Sequence, residues 1–276
     1  MKSTTDSLPN LSRSLTWATA IAYALLGAPL YVAPGWAVDK FLWNVTPFLA
    51  MTIGAWYLGA AFAAWRAASL WRWALIRPAL IFLWAFGLLE AALLVIYRGS
   101  LHLGNGLAYA YVAALVLGSV SAIIGIADWV RTRPVSDDAG SPIPLWERTL
   151  VVAFVLFAGY ISISLITGAA TGGTIWPGEL TPLSARGFGA FYFAIALSGI
   201  PGLYTRNQSA YQAVVPFSVA GAALLLIPAL VFINTFDFQQ QPGGLVYIGT
   251  YAAVIVIASA IFFIFRSKQP NQAAAR

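Results

Sequence analysis

Glu90 is the side chain with the clearest chemical potential in this sequence, because it is an acidic residue in a wholly apolar neighbourhood. Burying a charge away from water is costly, so its carboxyl group must be protonated, paired, or in contact with a wet cavity. Arg186 is the expected partner, and Arg98 and His102 are alternatives. Two interpretations stay open: a structural ion pair, or a site that binds a cation, a proton or the polar group of a substrate.

Other signs of chemistry are sparse. The chain has no cysteine and a single histidine, so thiolate sites and multi-histidine metal sites lack their ligands. The apolar segments contain no paired carboxylates, and the sequence has neither a Gly-x-Ser-x-Gly turn nor a phosphate-binding loop. We therefore expect no catalytic residues, no metal site and no cofactor, and the chain is not expected to be an enzyme.

The composition indicates that lipid solvates much of the chain. Hydrophobic residues make up 60% of it, charged residues only 9%, and the mean hydropathy is +0.80. A water-soluble domain carries roughly a quarter charged residues, and 276 residues could not hide so much apolar surface in an aqueous core. The sequence therefore predicts an all-α polytopic membrane protein whose main partner is the lipid bilayer.

Eight apolar runs approach the length that a helix needs to cross a bilayer, which is about 20 residues. The most polar connection between them, Asp128–Arg148, is interpreted as a linker. The predicted spans are Leu15–Ala33, Thr46–Trp65, Pro78–Tyr97, Gly106–Ala127, Thr149–Gly168, Pro182–Tyr204, Gln212–Ile233 and Gly244–Phe265.

Lysine and arginine predict how these spans are oriented. With the N-terminus in the cytoplasm, twelve of the 15 basic residues fall in inside segments, and Lys40, Arg98 and Arg186 fall in outside segments. This bias obeys the positive-inside rule. It predicts a plasma membrane protein with both termini in the cytoplasm, and it explains the net charge of +6 without a nucleic-acid partner.

Two parts of the sequence resemble each other. Residues 46–64 match 181–199 at seven of 19 positions, and 106–123 match 244–261 at eight of 18, where chance would give about two. Four spans in each copy give both copies the same direction in the membrane, which makes a parallel repeat. The predicted organisation is a four-helix repeat over 1–128, a cytoplasmic linker over 129–147, a second four-helix repeat over 148–266 and a cytoplasmic tail over 267–276.

The most strongly repeated motif has a structural interpretation. Each copy has a threonine that would cap a helix and a proline at the first helical position, where proline is favoured. A glycine four residues after an alanine would then let two helices pack closely in lipid. These residues are Thr46, Pro47 and Gly54 in the first copy and Thr181, Pro182 and Gly189 in the second.

The candidate site itself is not repeated. Pro228 stands where the second copy aligns with Glu90, so the acidic group belongs to one half only. Proline has no backbone N–H and leaves a carbonyl of its own helix without a partner. That carbonyl would either line a cavity or be bonded locally. Pro228 therefore joins Glu90 and Arg186 as a candidate binding residue.

One segment resembles a group of uncharacterised bacterial multi-pass membrane proteins. It reads Trp-Pro-Gly-Glu-Leu-Thr-Pro-Leu-Ser-Ala-Arg from Trp176, followed by Gly-Ala-Phe-Tyr from Gly189. The group has Trp-Pro-x-x-Leu-Thr-Pro-Leu-x-Ala-Arg-x-x-Gly-Ala-Trp, and this chain has Phe191 in place of the last tryptophan. The likeness covers about one helix and its preceding loop and implies no activity. Each half is also loosely similar to DoxX-like four-helix modules, which implies a fold and no mechanism.

Three functions compete on these grounds. A small transporter or carrier of an apolar or weakly polar molecule is favoured by Glu90, Pro228 and the parallel repeat. A non-catalytic assembly subunit, packed against other membrane protein subunits, is favoured by the shortage of buried polar groups and by the small-residue helix faces. An enzyme that acts on lipid is the third alternative.

Overall fold

The chain is an all-α polytopic membrane protein, as its apolar runs predict. The computed structural model describes residues 6–135, 143–168 and 176–268. Within these ranges eight helices are long and apolar enough to cross a membrane. The helices are α1 Asn10–Val32, α2 Pro34–Val38, α3 Pro47–Leu70, α4 Trp73–Ile96, α5 Gly106–Thr132, α6 Leu145–Ile166, α7 Pro182–Tyr204, α8 Gln208–Gln212, α9 Val215–Val231 and α10 Gly243–Lys268, with short 3-10 helices at Arg98–Ser100 and Ile233–Thr235.

Some helix ends differ from the predicted ones. The α4 helix begins at Trp73 rather than at Pro78, because a proline in the second turn removes only one backbone hydrogen bond and the helix continues through it. The α5 helix continues to Thr132, beyond the predicted end at Ala127. The helices therefore extend into the predicted linker 129–147, of which 136–142 lie outside the described residues, as does most of the predicted tail 267–276.

The first four long helices form a closed bundle. The α1 helix packs against α3 and α5, and α4 packs against the same two helices. The last four long helices are arranged differently, as two pairs. The α6 helix packs on α7 and the α9 helix on α10, while α7 is attached to α4 and α9 to α3. No comparable packing joins the α6–α7 pair to the α9–α10 pair within the described ranges.

Glycines set the closest helix contacts. A Cβ added to Gly54 would lie 2.6 Å from the backbone nitrogen of Tyr31, so α1 and α3 touch through their backbones. A Cβ on Gly189 would lie 3.1 Å from the carbonyl oxygen of Ser162, and the Ser162 hydroxyl donates to the Gly189 carbonyl at 2.8 Å. The small-residue faces of α3 and α7 are therefore occupied by α1 and α6 of the same chain.

The two helices that carry these glycines begin in the same way. The Thr46 hydroxyl accepts a hydrogen bond from the backbone N–H of Leu49 at 3.2 Å, and Thr181 accepts one from Ser184 at 3.2 Å. Each helix then starts with a proline, which has no N–H to satisfy. Both helix starts thus have fewer unpaired donors at the edge of the membrane.

Arginines lie together at one end of the bundle, which we call the basic end. The Arg13 side chain of α1 donates to the carbonyl of Ala68 in α3 at 2.9 Å. The Arg77 guanidinium of α4 lies 5.0 Å from the ring centroid of Tyr204 at the end of α7. These contacts join residues that the charge bias assigns to the cytoplasmic side.

The opposite end is closed by aromatic rings, which we call the aromatic layer: Phe48, Trp176, Phe188 and Tyr247. The ring centroid of Trp176 lies 3.8 Å from that of Phe188 and 5.0 Å from that of Tyr247. Phe48 contacts both Trp176 and Tyr247. The layer joins α3, α7 and α10 and the loop before α7 at the end of the molecule that is opposite the basic end.

Candidate functional site

Glu90 lies on α4 and is almost fully buried, with 4% of its surface exposed. One carboxyl oxygen, Oε2, accepts a long hydrogen bond of 3.4 Å from the Tyr111 hydroxyl of α5. The other, Oε1, has no hydrogen-bond partner among the described residues. A buried polar atom without a partner is rare in folded proteins, so Glu90 remains a candidate for a functional group.

Tyrosines from the other three helices of the closed bundle surround this position. Tyr23 of α1, Tyr57 of α3 and Tyr111 of α5 are all buried. Their rings meet edge to face, with centroids 5.1 Å apart for Tyr23 and Tyr57 and 5.4 Å apart for Tyr57 and Tyr111. We call these three residues and Glu90 the Glu90 cluster. The sequence contained a signal for it, since polar aromatic residues in the middle of apolar spans need a reason to be there.

Arg186 does not reach Glu90, so the expected ion pair is absent. Its guanidinium donates a hydrogen bond to the Tyr97 hydroxyl and lies 5.6 Å from the ring centroid of Tyr97. The next residue, Gly187, faces the carboxyl instead, because a Cβ added there would lie 3.5 Å from Oε1 of Glu90. Successive residues of a helix point about 100° apart, so the face that packs on Glu90 excludes the neighbouring arginine.

The two alternative partners also lie elsewhere. Arg98 is exposed in the 3-10 helix after α4. His102 is exposed and its backbone N–H donates to the carbonyl of Leu42 at 2.7 Å. No ion pair to Glu90 is formed within the described part of the chain.

Pro228 is buried inside α9, and its missing N–H has a visible consequence. The carbonyl of Leu224, one turn earlier, cannot be bonded by residue 228. The Tyr31 hydroxyl of α1 donates to that carbonyl at 3.2 Å. The freed carbonyl is therefore bonded across the chain, and it ties α9 to the closed bundle.

Replacing Tyr31 with phenylalanine should destabilise the fold by about 1–3 kcal/mol, because the Leu224 carbonyl would lose its partner. The same change should be nearly neutral in a Pro228→Ala background, where the alanine N–H can bond Leu224 instead. Thermal unfolding of the four proteins in this double-mutant cycle measures the difference. Equal losses in both backgrounds would contradict the role assigned to Tyr31.

A cleft of about 590 Å³ lies between the α6–α7 pair and the α9–α10 pair. Its floor is formed by α3 and α4, through residues such as Trp56 and Phe82. Cavities that bind small molecules typically have volumes of about 300–1,000 Å³. The cleft is therefore large enough for a small molecule, and it occupies the part of the fold where the helix pairs separate.

The cleft opens sideways between α6 and α10. Phe154 and Phe157 of α6 and Ile257 of α10 line it, and they are 36%, 38% and 42% exposed. In a bilayer this side of the protein faces the acyl chains. Molecules dissolved in the membrane therefore have a direct path into the cleft.

The two ends of the cleft differ in their chemistry. At one end the hydroxyl groups of Tyr192 and Tyr251 are bonded to each other, with their oxygens 2.6 Å apart. At the basic end Arg77 is part of the lining. Most of the walls between them consist of alanine, valine, isoleucine, phenylalanine and glycine. The cleft thus offers a long apolar surface with polar groups mainly towards its ends.

Trp56 separates the cleft from the Glu90 cluster. It lines the cleft and also a second, small cavity of about 10 Å³ that is lined by Glu90 and Tyr111. That volume is about the space for a single water molecule. The indole ring stacks on Phe191 with centroids 4.7 Å apart, and its Nε1 is buried without a hydrogen-bond partner in the described ranges. The two sites are therefore neighbours across one side chain.

Comparisons with known proteins assign no function to the chain, so a function must be inferred from the cleft and the Glu90 cluster. The described residues contain no group of three or more acidic, histidine or cysteine side chains that could hold a metal ion. No family model, no curated protein and no solved structure matches the chain. The resemblance to bacterial multi-pass proteins and to DoxX-like modules stays a prediction. The cleft and the Glu90 cluster are what the structure offers as candidate sites.

Proposed function

We propose that this integral membrane protein is a carrier that binds an apolar or weakly polar molecule in the cleft. The observation that supports the proposal is the separation of α6 from α10, which leaves an apolar cleft of about 590 Å³ beside the lipid. Its floor includes buried aromatic side chains such as Trp56, which stacks on Phe191. A molecule in the cleft would thus be held from one side while it stays in contact with the membrane on the other.

Selectivity in such a site would depend on shape and on a few polar contacts. Lipid tails are as apolar as the walls of the cleft, so moving an apolar molecule from the bilayer into it gains little from the hydrophobic effect. Close packing against the aromatic floor and hydrogen bonds at the ends would supply the difference. The hydroxyl groups of Tyr192 and Tyr251 are suitable donors and acceptors for a weakly polar group.

The alternative function, a non-catalytic assembly subunit, loses one of its arguments. The small-residue faces that favoured contact with a partner are already used inside the chain, at Gly54 against α1 and at Gly189 against α6. Exposed apolar side chains on α6 and α10 are what lipid contact requires, so they do not by themselves indicate a protein partner.

The proposed carrier would be oriented with its basic end in the cytoplasm. The contacts of Arg13 with α3 and of Arg77 with Tyr204 gather basic side chains at one end of the bundle. Basic residues are retained on the cytoplasmic side of the plasma membrane. In this orientation the cleft begins at the cytoplasmic surface, and the aromatic layer lies at the outer surface.

A binding role for Glu90 stays part of the proposal as a separate, small site. The unpartnered Oε1 and the adjacent cavity of about 10 Å³ suit a water molecule or a proton rather than a substrate. Trp56 lines both this site and the cleft, so a change in the protonation or hydration of Glu90 would affect the floor of the cleft. Ligand binding and thermal stability of the Glu90→Gln protein would show whether Glu90 affects the cleft or only the stability of the fold.

Purification from native membranes tests the proposal. Mass spectrometry of organic extracts should show a small apolar molecule enriched roughly in proportion to the protein, beyond the bulk lipid carried by another helical membrane protein purified in parallel. Intact-mass analysis of the same samples would show any stoichiometric protein partner. A partner protein without an enriched small molecule would favour the assembly subunit and would contradict the carrier.

A further inference from the structure

We infer that the ligand of the cleft carries a neutral oxygen that accepts a hydrogen bond, as in a ketone carbonyl, and that the paired hydroxyl groups of Tyr192 and Tyr251 bind this oxygen. The inference rests on the proposed function and specifies the class of the ligand. It differs from a carrier of pure hydrocarbons, because it requires one hydrogen-bond donor that is available to the cleft.

The pair of tyrosines has one hydrogen more than it uses. Two hydroxyl groups contain two hydrogens, and the bond between the oxygens of Tyr192 and Tyr251, which are 2.6 Å apart, uses one of them. Neither hydroxyl bonds another group within the described ranges. Both side chains are buried. A buried donor without an acceptor is costly, and a ligand that brings an acceptor would remove this cost.

Neighbouring hydroxyl groups already have acceptors. Tyr247, one turn before Tyr251 on α10, donates to the carbonyl of Leu225 at 3.2 Å. In the lining of the cleft, Ser198 and Ser218 donate to carbonyls of their own helices at 2.7 and 3.3 Å. These hydroxyls satisfy the backbone of the protein. The tyrosine pair differs from them, because one of its hydrogens is left for a ligand.

The pair lies near the middle of the membrane. Tyr192 follows the first residue of α7, Pro182, by ten residues, which at 1.5 Å per residue is about 15 Å. The hydrocarbon core of a bilayer is about 30 Å thick. At this depth the acyl chains offer no hydrogen-bond donor to a dissolved molecule, so a carbonyl oxygen gains a bond in the cleft that it lacks in the surrounding lipid.

The position of the pair also orients the ligand. Tyr192 belongs to the α6–α7 pair and Tyr251 to the α9–α10 pair, so their hydroxyls meet where the two helix pairs approach each other. Both residues line the cleft, which continues along α7 as far as Thr205. A molecule that enters sideways between α6 and α10 would place its oxygen at the tyrosines and its apolar remainder along the walls towards the basic end.

The test is a competition in nanodiscs of zwitterionic lipid that hold the full chain and equal amounts of 2-heptadecanone and heptadecane. These two probes have the same number of carbons, and native mass spectrometry counts the probe molecules that remain bound. The ketone should be bound in roughly fivefold excess over the alkane, as expected for one additional neutral hydrogen bond. The infrared C=O stretching frequency of the bound ketone should be lower than that of the same ketone in protein-free lipid.

The double variant Tyr192→Phe/Tyr251→Phe should remove both the preference for the ketone and the frequency shift. It replaces both partners of the bond with apolar rings of the same shape, so no buried polar group loses its partner and the fold should be kept. Thr250→Val is the matched control, because Thr250 also lines the cleft and carries a hydroxyl group beside Tyr251. This control should keep the full preference and the shifted frequency.

The outcomes separate this inference from the proposed function. Equal binding of the two probes, a preference that survives the double variant, or a preference that Thr250→Val removes would overturn the role of the tyrosine pair, while the bound probes would still support the carrier. If neither probe binds, both the inference and the proposed function fail. If the double variant does not fold, an unshifted C=O frequency in the natural protein would overturn the inference.

Discussion

Replacing Gly221 with phenylalanine should weaken ligand binding by roughly 100-fold, equivalent to about 2.7 kcal/mol, and should leave the fold intact. Gly221 lines the cleft from α9, and a Cβ added there would meet no atom within 4 Å. The aromatic ring would thus occupy the space intended for the ligand without displacing the protein. The change also replaces a residue with poor helix propensity, so stability should stay equal or rise slightly.

Binding of the small apolar molecule that co-purifies with the protein measures this prediction, with Gly159→Phe as the matched control. Gly159 is also a helical glycine with no atom within 4 Å of an added Cβ, but it does not line the cleft. The control should bind as the natural protein does. Unchanged binding in Gly221→Phe would show that the ligand is not bound in the cleft.

Gly54→Ala should destabilise the protein by about 1–3 kcal/mol, although alanine favours helices by about 1 kcal/mol over glycine. The added Cβ would lie 2.6 Å from the backbone nitrogen of Tyr31 and 2.9 Å from the carbonyl oxygen of Gly27. Backbone atoms cannot move aside as a flexible side chain can, so α1 and α3 would have to separate. Thermal unfolding of the purified protein measures the loss.

Gly59→Ala provides the comparison within the same helix. A Cβ at Gly59 would lie 3.7 Å from the Cα of Gly221, which is an ordinary contact distance. This variant should be as stable as the natural protein or slightly more so. If the two variants were equally stable, the close packing of α1 on α3 would not be the feature that holds the bundle together.

Much of the architecture follows from the sequence, because the bilayer imposes a simple rule. Every spanning segment must satisfy its own backbone, so an apolar run of sufficient length is a helix. The eight spans could be predicted for that reason. The ends of the helices were harder to predict. Proline favours the start of a helix, yet α4 begins at Trp73, before Pro78, because the backbone hydrogen bonds of the other residues maintain the helix.

The partner of Glu90 could not be predicted from residue types alone. Opposite charge suggests Arg186, but which side of α7 faces α4 depends on how the two helices are rotated about their axes. The structure turns Gly187 towards the carboxyl and Arg186 towards Tyr97. The rotation of a helix about its axis is set by the packing of the whole interface. This rotation could not be predicted from a single sequence.

The cleft could not be predicted from the sequence. The repeated residues predict two similar four-helix halves, and that organisation stays a prediction. In the structure the first four long helices pack as a closed bundle and the last four as two pairs. The separation of these pairs depends on their attachment to α3 and α4, at contacts such as Trp56 with Phe191. Alanine and glycine, which are common where helices pack closely, therefore line the cleft here.

The most direct test of the proposed carrier is photo-crosslinking from inside the cleft in native membranes. Phe157 lines the cleft and is 38% exposed, whereas Phe193 of α7 is 39% exposed and lies outside the lining. Each would be replaced in turn by p-benzoylphenylalanine, and the mass of the adducts would be measured after irradiation. We predict a distinct small-molecule adduct at position 157 and only bulk lipid at position 193. The same adducts at both positions, or an adduct of a second polypeptide at position 157, would contradict a carrier with its ligand in this cleft.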